Sequence, residues 1–167
     1  MKYFTPSEAV QLIKSGESVY IQGSTSIPEV LCKALADRGD ELRDVTIYAA
    51  FAVGRCEAPF CRPEYKDSFN IKSLFVANNI RKWLAAGYGS TIPAFLGEIP
   101  GLFRDGTLPL DAVFLNVSQP NDEGYCSFGV SADLAVSAVE CASKVIVQVN
   151  KAMPFSYGDA LIHVSRI

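Results

Sequence analysis

The run Ala112–Val117, Ala-Val-Phe-Leu-Asn-Val, constrains the fold more than any other segment, because its apolar residues fall on both alternating faces before it stops in a polar stretch. A strand apolar on both faces must be covered on both, as in parallel sheets flanked by two layers of helices. In such sheets ligands bind in the crevice at the carboxyl ends of the strands. Residues Ser118 through Gly124 supply hydroxyl, amide and carboxylate groups at that position, so they form a candidate site whose chemistry the position leaves open.

The rest of the chain supports the same class. Helical spacing over Ser7–Lys14, a strand at Ser18–Gln22 and helical spacing again over Pro28–Ala36 set up an α/β rhythm. Thr5 or Ser7 can cap the first helix, Pro6 sits at a tolerated first-turn position, and Gly16 ends the unit. Further strands are predicted at Val45–Ala50, Ile71–Val76 and Lys144–Val149, and helices at Asn79–Ala86, Ile92–Phe103 and Ser131–Ala142. Phe51–Asp67 has neither period and reads as an irregular loop. Leu161–Ile167 alternates like a strand. Connections of helical length imply parallel pairing with right-handed crossovers, so the expected fold is α/β, a mostly parallel sheet with helices on both faces.

A chain of 167 residues without an internal repeat or linker is expected to form one domain, 1–167. Apolar residues at 49% and charged residues at 20% match ordinary globular chains, and no apolar run approaches a membrane span. The N-terminus lacks the apolar segment of a signal peptide, which makes a cytoplasmic location the simplest expectation. The charge of -3 is scattered along the chain without a basic block, which argues against nucleic-acid binding. Five cysteines show no C-x-x-C spacing. Cys56 and Cys61 lack a His or a second close pair to complete a metal site, so all five are expected to be free thiols and no metal is expected.

Three loops carry candidate ligand groups. Gly23-Ser24-Thr25-Ser26-Ile27-Pro28 joins a strand to a helix, where free backbone N–H groups and the helix dipole favour a carboxylate or phosphate. Asn78, Asn79 and Arg81 follow the third strand, and Gly87-Tyr88-Gly89-Ser90-Thr91-Ile92-Pro93 follows a helix. Each set also suits plain capping, which is the simpler reading of any one of them alone. His163, the only histidine, reads as a half-buried strand residue, and Trp83, Phe95 and Phe103 read as core or interface.

Several stretches, taken in order, match one family: Phe95-Leu96-Gly97-Glu98-Ile99-Pro100, Leu108-Pro109-Leu110-Asp111, the run from Val117 to Ser131, Val149-Asn150-Lys151-Ala152-Met153-Pro154, and Gly158-Asp159. Over almost its whole length the chain resembles the N-terminal domain of the acetyl-CoA hydrolase/transferase family, which includes 4-hydroxybutyrate and butyryl-CoA:acetate CoA-transferases. The resemblance implies a CoA-transferase-like domain and covalent catalysis. A glutamate attacks the acyl-CoA thioester, a mixed anhydride forms, and CoA thiolate returns to give a glutamyl-CoA thioester.

In that family the glutamate belongs to a C-terminal half with no counterpart in this sequence, so no catalytic residue is expected in this chain. Glu29, Glu98, Glu123 and Glu140 suit helix-end, turn or interface roles. The candidate substrate-facing residues are Gly23, Ser24, Thr25, Asn79, Ser90, Thr91, Ser118, Gly124 and Tyr125. The family tends to be glycine-rich in the first loop, whereas here Gly23 stands alone before Ser24-Thr25-Ser26. The resemblance implies a coenzyme A thioester and a short-chain carboxylate as substrates, no bound cofactor, and a C-terminal domain as partner. An apolar face without that partner would favour a homodimer or aggregation. The other readings are a non-catalytic module binding a small molecule or partner, and an acyl-CoA hydrolase.

Overall fold

The computed structural model describes residues 3–51 and 59–167. Its centre is a sheet of six parallel strands: β1 (Ser18–Ile21), β2 (Val45–Ala49), β3 (Phe69–Ser73), β4 (Gly89–Thr91), β5 (Ala112–Val117) and β7 (Lys144–Val149). The spatial order is β4-β3-β2-β1-β5-β7. Two further strands, β6 (Tyr125–Ser127) and β8 (Leu161–His163), pair antiparallel as a separate ribbon. The helices are α1 (Pro6–Ala9), α2 (Glu29–Ala36), α3 (Asn78–Ala85), α4 (Ile99–Arg104) and α5 (Ala135–Cys141).

Strand residues divide between two cores by strict alternation, as the pleat requires. Val19, Ile21, Val45, Ile47, Ala112 and Phe114 face one side with Leu31, Cys32 and Leu35 of α2. Tyr20, Tyr48, Val113, Leu115 and Val117 face the other with Phe103 of α4 and Ala135 and Ala138 of α5. All six residues of β5 are buried, so the double-sided covering expected of that run is present.

Several boundaries differ from the periodicity. The first helix is only Pro6–Ala9 followed by a 3-10 turn at Val10–Leu12, closed by a capping box in which Thr5 and Glu8 bond reciprocally. Ile92–Phe103 shrinks to α4, since the chain becomes helical only from Ile99, with Pro100 in the first turn where a missing N–H does no harm. Leu161–Ile167 is strand only to His163 and then turns. Residues 89–91, read as loop, form edge strand β4 through pairing with β3. Cys56 lies outside the described residues, while Cys61 is buried in the first core.

At the amino edge one aspartate, through its carboxylate and its backbone carbonyl, ties three strands. Asp111 Oδ2 accepts hydrogen bonds from the Ser18 N–H (2.8 Å) and hydroxyl (2.9 Å), and the Asp111 carbonyl accepts from the Lys144 N–H (3.0 Å). The starts of β1, β5 and β7 are thereby held in register. Hydrogen bonds to charged groups contribute about 1.5–3 kcal/mol. Asp111→Ala should therefore lower stability by that amount in urea unfolding, and an unchanged midpoint would show that the register is held otherwise.

Candidate functional site

The sheet order places a topological switch point between β1 and β5. The chain leaves β1 toward α2 on one face and leaves β5 toward α5 on the other, so their carboxyl ends diverge and open a crevice.

Gln22, the first residue beyond β1, spans this opening. Its side chain is wholly buried. Nε2 donates to the carbonyls of Ser131 (2.6 Å) and Phe128 (3.3 Å), and Oε1 accepts from the Asn116 N–H (2.7 Å). One amide thus joins the end of β1 to β5 and to the loop that leads into α5. In the sequence Gln22 reads only as the last residue of a strand. The available signal was a polar residue closing a buried apolar run, which must find partners inside.

Gly23 follows, and the reason for glycine is steric: a Cβ there would collide with the Ala50 carbonyl oxygen. Ser24 adopts φ 55° and its N–H donates to the Phe51 carbonyl (2.6 Å), stitching the exits of β1 and β2 together. Left-handed backbone is what glycine adopts freely, so Ser24 holds a glycine-like conformation where the family resemblance suggested glycine. Thr25 is exposed, and Ser26 is fully buried. Ser26 Oγ and Asn116 Oδ1 have no hydrogen-bond partner among the described residues, and they lie just beyond β1 and near the end of β5, flanking the switch point.

Beyond β5 the polar loop is held by its own side chains. Ser118 Oγ donates to the Gln119 carbonyl and accepts from the Ser127 N–H, each at 2.9 Å. Asn121 Oδ1 accepts from the N–H groups of Glu123 (3.1 Å) and Tyr125 (2.8 Å), a turn that Asn builds more readily than most residues. Gly124 has φ 83°, and a Cβ there would approach His163 Nε2 at 2.9 Å. Tyr125 packs edge-on against His163 with centroids 5.1 Å apart. Ser127 Oγ accepts from the N–H groups of Gly129 and Ser156, both at 3.0 Å. Cys126 is fully buried, and burial pushes its thiol pKa up, which makes it a poor nucleophile despite its place in the loop.

The structure places Gly23, Ser24 and Thr25 just past the end of β1 and Ser118 just past the end of the adjacent β5, on the two sides of the switch point. Gly124 and Tyr125 lie further along the same loop, on the ribbon formed with β8. Asn79 lies in the first turn of α3, and Ser90 and Thr91 lie on β4, three strands from β1 at about 4.8 Å per strand. Among the carboxylates considered, Glu98 accepts from the Phe95 N–H at 3.1 Å, and Glu140 pairs with Arg104 at 2.9 Å. Among the described residues, no group of three or more His, Cys, Asp or Glu is placed to hold a metal ion, and no helix is long and apolar enough to cross a membrane.

An α/β domain with this switch point is shared by many proteins, and comparison with known proteins narrows it. The acetyl-CoA hydrolase/transferase N-terminal domain matches residues 1–167, and the chain belongs to that family. It is 36% identical over 166 residues to the 4-hydroxybutyrate coenzyme A transferase of Clostridium kluyveri, covering 99% of this chain and 38% of that protein. It is 33% identical over 162 residues to a succinyl-CoA:acetate/propanoyl-CoA:succinate CoA transferase of Fasciola hepatica, covering 96% of this chain and 33% of that protein. Among solved structures it is similar to RipA from Yersinia pestis, with TM-score 0.89 and 29% identity over 98% of this chain and 40% of the other. The 4-hydroxybutyrate CoA-transferase of Porphyromonas gingivalis gives TM-score 0.77 and 33% identity over 98% of this chain and 37% of the other. The chain thus spans well under half the length of these relatives.

The Gln22 clamp yields a direct test. Gln22→Leu fills similar volume but leaves the Asn116 N–H and the Ser131 carbonyl buried without their partner, at about 1–3 kcal/mol for each such group. Chemical denaturation should show a loss in that range. Wild-type stability in the variant would mean that the clamp contributes nothing to the native state.

Proposed function

We propose that this chain is the N-terminal half of a CoA-transferase that exchanges CoA between an acyl-CoA and a short-chain carboxylate. In this reading domain 1–167 supplies one wall of the substrate crevice. The nucleophilic glutamate comes from a second half, corresponding to the part of the relatives beyond the matched region. The observation that carries the proposal is the family match along the whole chain, joined to relatives that are named as CoA-transferases.

The chemistry balances without a cofactor. The glutamate oxygen attacks the thioester carbonyl, the C–S bond breaks, and CoA leaves as thiolate from an acyl-glutamyl anhydride. The thiolate then attacks the glutamyl carbonyl, releasing the first carboxylate and forming the enzyme thioester. An acceptor carboxylate reverses both steps. Each step passes through an oxyanion, which fixed hydrogen-bond donors stabilise. Gly23, Ser24 and Thr25 past β1, and Ser118 past β5, contribute the crevice wall. Asn79, Ser90, Thr91, Gly124 and Tyr125 line the outer parts of the same substrate surface. The engagement of Glu98 with the Phe95 N–H and of Glu140 with Arg104 supports a nucleophile supplied from outside this chain.

The second half also has a place to dock. Among the described residues β7 is the last strand of the six-stranded sheet, and a groove of about 620 Å³ runs along it, lined by Phe4, Leu12, Val30, Val145, Val147 and Val149 among others. Open apolar sheet edges invite pairing.

Two measurements follow. The protein as encoded should exchange CoA between acetyl-CoA and butyrate, and after acyl-CoA treatment its mass spectrum should carry CoA on a glutamate outside residues 1–167. The 167-residue chain alone should be inactive, and turnover by it, or a CoA adduct within it, would overturn the proposal. In light scattering the 167-residue chain should self-associate through the β7 edge, and Val147→Lys should restore a monomer. A monomeric wild-type chain at high concentration would remove the docking surface.

A further inference from the structure

Helix α2 starts without a side-chain cap. Its N-cap residue is Pro28, whose ring has no group to accept a hydrogen bond. The N–H groups at the start of a helix need acceptors from outside its own ladder. Glu29 donates to the Ile27 carbonyl (3.0 Å) and Val30 to Gln148 Oε1 (3.2 Å), and the ladder begins with Cys32 donating to the Pro28 carbonyl (3.0 Å). The N–H of Leu31, between them, has no acceptor among the described residues, and Leu31 is buried.

Two side-chain oxygens at the same place also lack partners. Ser26 is 0% exposed and stands two residues before Pro28, at the end of a turn closed by its N–H on the Gly23 carbonyl (3.2 Å). Asn116 is 6% exposed and lies on the same face of β5 as Ala112 and Phe114, the face that α2 covers. Its register partner on β7 is Gln148, the residue that takes the Val30 N–H. Ser26 Oγ and Asn116 Oδ1 are both buried without a hydrogen bond. Within reach of each other, one bond from the hydroxyl to the amide oxygen would satisfy both, so a third group has to stand between them.

We propose that this group is a single bound water that serves as the N-cap of α2, accepting from the Leu31 N–H and donating to Asn116 Oδ1 and Ser26 Oγ. One donor and two acceptors are a set that a water completes with one lone pair and both protons, and three partners is the usual number for a buried water. An anion would face the Asn116 oxygen, and a larger ligand would have no access to atoms this deeply covered. The water ties the Gly23–Ser26 turn to β5 and to α2, on the opposite face of the sheet from the Gln22 bridge. The switch point is thereby braced on both faces. The inference does not depend on the CoA-transfer reading.

A high-resolution crystal structure of the protein as encoded tests it directly. Density for one water should lie about 2.7–3.2 Å from Ser26 Oγ, Asn116 Oδ1 and the Leu31 nitrogen. A direct bond between the Ser26 and Asn116 side chains, a protein group occupying the position, or well-ordered atoms with no density between them would overturn the proposal. A double-mutant cycle gives an independent reading. Ser26→Ala and Asn116→Leu each remove one partner of the same water, so the shift of the urea midpoint in the double variant should be smaller than the sum of the two single shifts. Additive shifts would show that the two side chains share no water, and the wild-type crystal structure carries the test where a variant does not fold.

Discussion

The structure depends on satisfying backbone groups where two adjacent parallel strands part company. Ladder hydrogen bonds end as β1 and β5 diverge, and the exposed groups sit under two helical layers where water does not reach. Gln22 resolves this by making three hydrogen bonds from a single fully buried amide, two as donor and one as acceptor. Buried polar groups need partners, and a side chain that reaches across the gap also fixes its width. The position of the 128–131 loop, and through Ser127 and Ser156 the course of the chain as far as residue 156, follow from that bridge.

Two adjacent positions illustrate how function and strain converge on the same edge. Gly23 must be glycine because the Ala50 carbonyl occupies the space of a side chain. That close approach draws the exits of β1 and β2 together and lets the Ser24 N–H reach the Phe51 carbonyl, at the cost of unusual backbone at both residues. Removing the strain would separate the two loops. The exits of β1 and β2 are thus joined through the Ser24–Phe51 hydrogen bond, although they belong to different strands.

Much of the fold was legible because parallel strands covered on both faces write themselves as apolar runs. The predicted β1, β2, β5 and β7 agree with the structure to within a residue at each end. β4 and β6 were missed for the opposite reason: three residues each, partly polar, they are strands only because β3 and β8 pair with them. Local sequence carries no trace of such pairing. The candidate site was legible as a place and less so as a set of roles. Hydroxyls at Ser118 and Ser127 look ligand-ready in sequence but are engaged with backbone, while Gln22 looked like a strand end. The left-handed turns at Ser24 and Phe51 arise from a tertiary hydrogen bond between them and have no sequence signature of their own.

Under the proposed function, the architecture also explains why one such domain needs another. An acyl-glutamyl anhydride is destroyed by water, so transfer rather than hydrolysis requires a site closed on all sides while the anhydride exists. A switch-point crevice is open outward by construction, since its two strands diverge and the sheet ends there. Gln22 lies at its floor and Gly23 and Ser118 at its sides, all three buried, while Thr25 stands exposed at a rim still to be covered. A second α/β unit docked along β7 would supply that cover together with the glutamate. The balance between transfer and hydrolysis would then be set at the junction of the two halves, by how completely the second half shuts the crevice that the first half holds open.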